Sequence, residues 1–354
     1  MRGCDTLPSR VKLVIQIPCL DEEEALPETL ATLPEAIPGI DEIAVIVIDD
    51  GSSDRTAEVA ARAGVTEVVR FPNHQGLARA FAAGLERALQ LGADVIVNTD
   101  ADNQYSAADI PALIAPILRG EADIVIGNRE PGTLAHFSLP KRLLQRIGSW
   151  VVRQLSGTRV PDATSGFRAF SRAAALKINV LSDFTYTLET VIQAGKKQLA
   201  VTHVPVHANE TLRPSRLFSG PSHYIRRSVG TLVRIYALYE PFKVFTLLGG
   251  GLITVAALIG VRFLLYYLTA GGAGHVQSLI LAAALLIMGF LTMQIGMLAD
   301  LIGRNRQLSE DVLLRVRRLE LALRAGDGGQ NPMVRDDERR AQSLARRRAE
   351  GLPR

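Results

Sequence analysis

The chain has 354 residues, 47% of them hydrophobic, with a mean hydropathy of +0.16, a formal charge of +4 and a pI near 9.2. That length is too great for one compact core, and apolar residues crowd between Val244 and Ile302, which excludes a wholly soluble single domain. Arginines cluster beside the apolar segments and in the tail, a placement that fits anionic lipid headgroups and argues against nucleic acid, while the two cysteines, Cys4 and Cys19, have no metal-like spacing and imply no disulfide.

Residues 1–10 read as a tail without a stretch of signal-peptide length. From residue 11 to about 206, short β-branched runs alternate with helix-period segments, the pattern of an α/β domain with a mostly parallel sheet. Strands are expected at 11–17, 43–48, 67–70, 95–99 and 124–127. Helices are expected at 56–63, capped by Ser53 or Asp54, and at 78–91, stopped by Gly92. Ligands of open α/β sheets bind outside the carboxyl ends of the strands. Residues 18–22, 49–54, 73–76, 100–104 and 128–129 should therefore share one edge and carry the chemistry.

Residues 213–241 form an Arg- and Tyr-rich amphipathic segment suited to a membrane interface. Two apolar stretches follow, at 244–268 and 278–302, each long enough to span a bilayer, and together they make a hairpin over 242–303. The connection between them lacks Lys and Arg, whereas Arg226, Arg227, Arg234, Lys243, Arg304 and Arg306 flank the outer ends. The positive-inside rule thus puts the first domain, 11–212, and the C-terminus in the cytoplasm. In the charged segment 304–354, Val312, Val316, Leu319 and Leu323 recur at four- and three-residue steps, as a short coiled-coil seam or a lone amphipathic helix would. Self-association through the hairpin or this helix is among the expectations, and residues 327–354 read as disordered.

Asp100-Ala101-Asp102 follows the apolar run 95–97. On an extended chain the two carboxylates point to the same side and can grip one hard cation, Mg²⁺ or Mn²⁺, with Gln104 continuing the phase as a neutral oxygen ligand. The alternative is an Asx-rich turn whose carboxylates cap backbone amides. A second acidic pair, Asp49-Asp50, ends a neighbouring strand, where a carboxylate can accept hydrogen bonds from a base or ribose. Arg168, between Phe167 and Phe170, is expected at a partly buried edge where its charge requires an anion.

Taken together, Ile17-Pro18-Cys19-Leu20-Asp21-Glu22-Glu23, Asp49-Asp50-Gly51-Ser52-Ser53-Asp54, the Asp-Ala-Asp triplet, Gly127-Asn128-Arg129 and Thr164-Ser165-Gly166-Phe167-Arg168 resemble, in order and spacing, the nucleotide-sugar domain of the family 2 glycosyltransferases, whose fold is called GT-A. Within that family the chain is most similar to the polyprenyl-phosphate glycosyltransferases, the dolichol-phosphate-mannose synthase group. The resemblance implies that Pro18, Leu20, Glu22, Asp49, Asp50 and Asp100 line the nucleotide-sugar pocket, and that Asp100, Asp102 and Gln104 hold the metal. It implies catalytic roles for Asp102, Arg129 and Arg168, and an acceptor-phosphate site at Arg142, Ser165, Arg213 and Arg216. The spelling Arg213-Pro214-Ser215-Arg216 departs from the group's common Gly-x-Ser-Lys form.

The implied reaction is inverting transfer of a sugar from a nucleotide diphosphate to undecaprenyl or dolichyl phosphate at the cytoplasmic membrane face. A phosphate acceptor is already ionised and needs no strong base. A processive polysaccharide synthase is disfavoured, because Gln145-Arg146-Ile147-Gly148-Ser149-Trp150 fails the Gln-x-x-Arg-Trp spacing. A glycolipid synthase acting on a hydroxyl of diacylglycerol or ceramide would need a base, for which Asp162 is the candidate. A non-catalytic sugar-nucleotide-binding scaffold is the third reading.

Overall fold

The computed structural model describes residues 10–129, 153, 156–158, 160–180, 186–207, 209, 240–270 and 276–326. Arg142, Arg213, Arg216, most of the expected amphipathic segment and the tail at 327–354 lie outside the described residues. The chain divides into two compact units, residues 1–221 with 313–354, and residues 222–312.

In the first unit the elements run β1 (Lys12–Cys19), α1 (Leu26–Ala31), β2 (Glu42–Asp49), α2 (Thr56–Arg62), β3 (Glu67–Arg70), α3 (Leu77–Gln90), β4 (Val95–Asn98), α4 (Ile110–Leu118), β5 (Ile124–Asn128), β6 (Arg168–Ser171), α5 (Arg172–Lys177), α6 (Tyr186–Lys196) and β7 (Val201–Pro205). One seven-stranded sheet has the order β3-β2-β1-β4-β6-β5-β7. β2, β1 and β4 pair in parallel, as do β5 and β7, and β6 alone runs antiparallel to its neighbours. The expected strands are present with ends shifted by at most two residues, and β6 and β7 are additions.

The interior strand β1 is apolar on both faces because helices cover both, and Leu13, Val14, Ile15 and Ile17 are fully buried. α3 lays Ala78, Phe81, Leu85, Ala88 and Leu89 against the sheet at helical spacing. Strand order reverses direction of growth between β1 and β4, so the crevice at their carboxyl ends is the topological switch point. The antiparallel β6 delivers its amino end, and the turn before it, to that same edge.

In the second unit, α7 (Pro241–Ala270) and the first part of α8 (Val276–Gly326) are long and apolar enough to cross a membrane. They approach at glycines. A Cβ on Gly249 would stand 2.6 Å from the Gly289 carbonyl oxygen, one on Gly289 would stand 2.7 Å from Ile253, and one on Gly296 would meet Phe245 at 2.6 Å. Small residues at seven-residue spacing are what let two apolar helices touch when lipid offers no hydrophobic drive to pair them. α8 does not end near Gly303, as the expected hairpin boundary implied. It continues without a break to Gly326.

Candidate functional site

Two strand-end loops are laced together at the switch point. Asp21, in the left-handed region at φ 53°, donates its amide to Ser52 Oγ (3.0 Å), and its carboxylate accepts from the Ser53 amide (2.8 Å). The Glu22 amide donates to Thr56 Oγ1 (2.8 Å) and the Glu23 amide to Asp54 Oδ2 (3.1 Å). Asp54 also accepts from the Thr56 amide at the start of α2 (2.9 Å). Burial works against its charge, but the bonds from Thr56 hold its carboxyl below the usual range. Of the residues expected around the nucleotide, Pro18 is buried, whereas Leu20 and Glu22 are half-buried on this edge.

The acidic pair divides its work. Asp50 accepts from the amides of Gln75 (2.8 Å) and Gly76 (2.9 Å) and lies 2.8 Å from His74 Nδ1. Its carboxylate thus clamps the loop after β3. Gly51 permits this closeness at φ 75°, since a Cβ there would meet the Asn73 and His74 backbone at 2.5–2.6 Å. Asp49 is fully buried. Its Oδ1 accepts from the Ser52 amide (2.9 Å), while Oδ2 has Arg70 Nε at 3.1 Å but no hydrogen bond in line. A buried carboxylate oxygen left without a donor suits a base or ribose, and the exposed Arg70 is the side chain such a ligand would displace.

β4 stops at Asn98, and the chain turns through Ala101 and Asn103, the latter at φ 55°. The extended-chain argument for Asp100, Asp102 and Gln104 therefore fails, because a turn and not a strand carries them. The turn also realises part of the Asx alternative: Asp102 Oδ1 accepts from the Gln104 amide (3.1 Å). Outside contacts hold the turn, with Thr29 Oγ1 donating to the Ala101 carbonyl (2.8 Å) and Asn209 Nδ2 to that of Asn103 (2.9 Å). Asp100 is pushed up to about 7, first by burial and then by the neighbouring Asp102, against the pull of Arg129 and Arg168. The Asp102 charge beside Asp100 is one that a divalent cation would offset. Among the described residues no group of three or more His, Cys, Asp or Glu is arranged around a metal. An ion here would complete its oxygen shell with neutral or substrate ligands, as Mg²⁺ commonly does.

Behind Asp100 lies a buried polar brace that the sequence reading missed. Gln16 donates to Asn98 Oδ1 (2.9 Å), and Asn98 Nδ2 donates to the Gly166 carbonyl and to Tyr186 Oη (both 2.9 Å). Tyr105 Oη accepts from the Gly166 amide (3.1 Å). The Asp100 carboxylate rests on Gly166, where a Cβ would come within 2.8 Å of it. Tyr186 stacks on Phe81 at 3.8 Å and Tyr105 on Phe167 at 5.1 Å, which fixes both rings. Burial, then the Asp100 charge, pushes the Tyr105 phenol up to about 12.

Arg129 reaches the same edge from the end of β5. Its Nε and Nη2 donate to the two oxygens of Asp162 (2.8 and 3.2 Å), and Nη2 also donates to Thr164 Oγ1 (3.1 Å). Burial opposes its charge, but Tyr105, Asp162 and Asp100 outweigh that and hold it protonated. Asp162 is fully buried at its side chain. Burial works against its charge, and Arg129 and Thr164 overcome this to keep its carboxyl below the usual range.

Arg168 corrects the sequence reading. It is fully buried, and among the described residues its guanidinium bonds only neutral acceptors: Nε donates to the Ser165 carbonyl, Nη1 to the Thr187 carbonyl and Thr190 Oγ1, and Nη2 to the Ala163 carbonyl, all at 2.6–2.7 Å. Neutral acceptors satisfy the donors, and burial pulls its pKa down to about 10. Arg168 ties the 163–165 turn to α6. Ser165, expected at the acceptor phosphate, is likewise fully buried. Sequence offered no signal for Tyr186, Gln16 or the Asp162 partner of Arg129, since their partners lie 33 to 88 residues away.

The chain matches the model of the family described as Glycosyl transferase family 2 over residues 14–178, a span that holds every strand end of this edge except that of β7. It is 32% identical over 195 residues to an uncharacterized glycosyltransferase of Mycobacterium bovis, covering 55% of this chain and 84% of that one. It is 28% identical over 206 residues to the undecaprenyl-phosphate mannosyltransferase of Micrococcus luteus, covering 55% and 83%. It is 29% identical over 186 residues to the UDP-N-acetylglucosamine–dolichyl-phosphate N-acetylglucosaminyltransferase of Methanococcus voltae, covering 46% and 73%.

Proposed function

Because the chain belongs to glycosyl transferase family 2, and its sheet domain is of the GT-A type, we propose that it moves a sugar from a nucleotide diphosphate to a polyprenyl phosphate, with inversion, at the cytoplasmic face of a membrane. Two relatives named for polyprenyl-phosphate acceptors support the acceptor class, and because one carries mannose and the other N-acetylglucosamine, the sugar is left open. The two long apolar helices support a membrane setting, and the basic residues outside the hairpin support the cytoplasmic orientation.

A divalent cation held by Asp100, Asp102 and Gln104 would offset the charge that develops on the leaving nucleoside diphosphate. Arg129, fixed by Asp162 and Thr164, adds a positive charge that cannot swing away. Asp49 offers its buried oxygen to the nucleoside. Arg168 positions the 163–165 turn and touches no substrate in this scheme.

The observation that carries the phosphate acceptor over a hydroxyl acceptor is the state of Asp162. A hydroxyl needs a base, and this candidate base is buried, bonded by Arg129 and Thr164 and held below the usual carboxylate range. A phosphate monoester, with a second pKa of about 6, arrives already ionised. The test is to incubate membranes containing the protein with labelled nucleotide sugars and undecaprenyl or dolichyl phosphate, then treat the lipid fraction with mild acid. Label released by acid supports the proposal, and an acid-stable glycolipid overturns it in favour of the hydroxyl acceptor.

A further inference from the structure

Beyond Gly303, α8 carries Arg304, Arg306, Glu310, Asp311, Arg315, Arg317, Arg318 and Glu320, a composition made for water. Yet Val312, Val316, Leu319 and Leu323 are 60%, 52%, 58% and 75% exposed on it. Their steps of four, three and four residues put them on one stripe. The other side of the helix is taken: Leu314, Arg317 and Leu321 are half-buried, and Arg317 Nη1 donates to Asn179 Oδ1 (2.7 Å) in the loop after α5. The exposed stripe is therefore not the face this segment turns to its own domain.

A bilayer surface does not account for it. A helix lying on a membrane must bend away from a span, whereas α8 is unbroken, so Val312 stands ten residues, roughly 15 Å along the axis, beyond Ile302. The stripe also continues in phase into the apolar half through Ile302, Leu298, Ile295, Leu291 and Met288, all exposed. Asn305 and Ser309 fill the intervening positions as polar layers of the kind that fix register.

We infer that this stripe of α8 is the seam of a parallel coiled coil with a second copy of the chain. Two copies inserted the same way in one membrane have parallel helices, so the pairing is self-complementary. In a parallel, in-register pair, Arg315, just before Val316, faces Glu320 of the second copy five residues on, and symmetry gives that contact twice. In an antiparallel pair the same charges would not meet in this way.

The test uses the full chain in mild detergent, with Cys4→Ser to remove the terminal thiol; Cys19 is buried. Oxidation should link Val316→Cys and Leu319→Cys variants into covalent dimers, and leave Asp311→Cys, exposed on the same helix but off the stripe, monomeric. By light scattering, the wild type should have twice the chain mass and the Val316→Glu/Leu319→Glu double variant the mass of one chain. Arg315→Glu and Glu320→Arg should each weaken association, and together restore it. A monomeric wild type, linking at 316 and 319 no stronger than at 311, or failure of the charge exchange to rescue would each overturn the inference, and would assign the stripe to lipid, to another part of the chain or to a different protein.

Discussion

Asp100 and Asp102 are separated by one residue but sit in different surroundings, and their replacement should have different consequences. Asp102 is exposed at the turn, so Asp102→Ala should leave the fold intact and lower the initial rate of sugar transfer by on the order of 10²–10³-fold at saturating Mg²⁺. Asp100 is half-buried with its carboxyl at about 7 against an ordinary 3.8. The folded state thus holds a proton that the unfolded chain releases, and stability falls as pH rises through that window, with the full deficit above about 7. Asp100→Asn should therefore raise the melting temperature of the metal-free protein at pH 8, give almost no gain near pH 4, and abolish transfer; melts in EDTA at the two pH values check this. Arg168→Lys should behave in the opposite sense. A lysine cannot reach the four acceptors that the guanidinium meets, and the loss should be about 3 kcal/mol or more of stability. Where the variant is still folded, the donor KM should stay within about twofold; a large rise in KM with an unchanged melt would place Arg168 on the donor after all. The sequence made Asp100 and Asp102 visible because two acids leaving an apolar run are rare. It misjudged the surroundings of Arg168 because a cation between two phenylalanines reads as needing an anion, and carbonyl oxygens carry no mark in a sequence.

At the scale of elements, the parallel strands were legible because β-branched runs buried on both faces leave a long apolar signature, as 13–17 does. β6 was not, since four residues with Arg168 and Ser171 at its ends show neither length nor alternation. The consequence reached the site, because β6 is the strand that brings the Gly166 turn against Asp100. The continuity of α8 through Gly303 was not legible, because a glycine with nothing within 4 Å of its Cβ position can simply continue a helix. Packing between α7 and α8 depends instead on glycines whose absent side chains are filled by the neighbour. Gly289→Leu should force the two helices apart and lower the melting temperature in detergent by several degrees, whereas Gly260→Leu, which meets nothing within 4 Å, should leave it unchanged.

For the whole molecule, the orientation proposal can be checked without activity. A membrane-impermeant thiol reagent applied to intact cells should label Ala273→Cys, in the connection between the apolar helices, and should label Asp311→Cys only after lysis; the reverse pattern would invert the topology. The antiparallel course of β6 has a further consequence. Arg129, at the end of β5, and Asp162, before β6, are bonded to each other across 33 residues of sequence. The ends of β5 and β6 are thereby locked together at the reactive edge by a side-chain clasp as well as by their ladder.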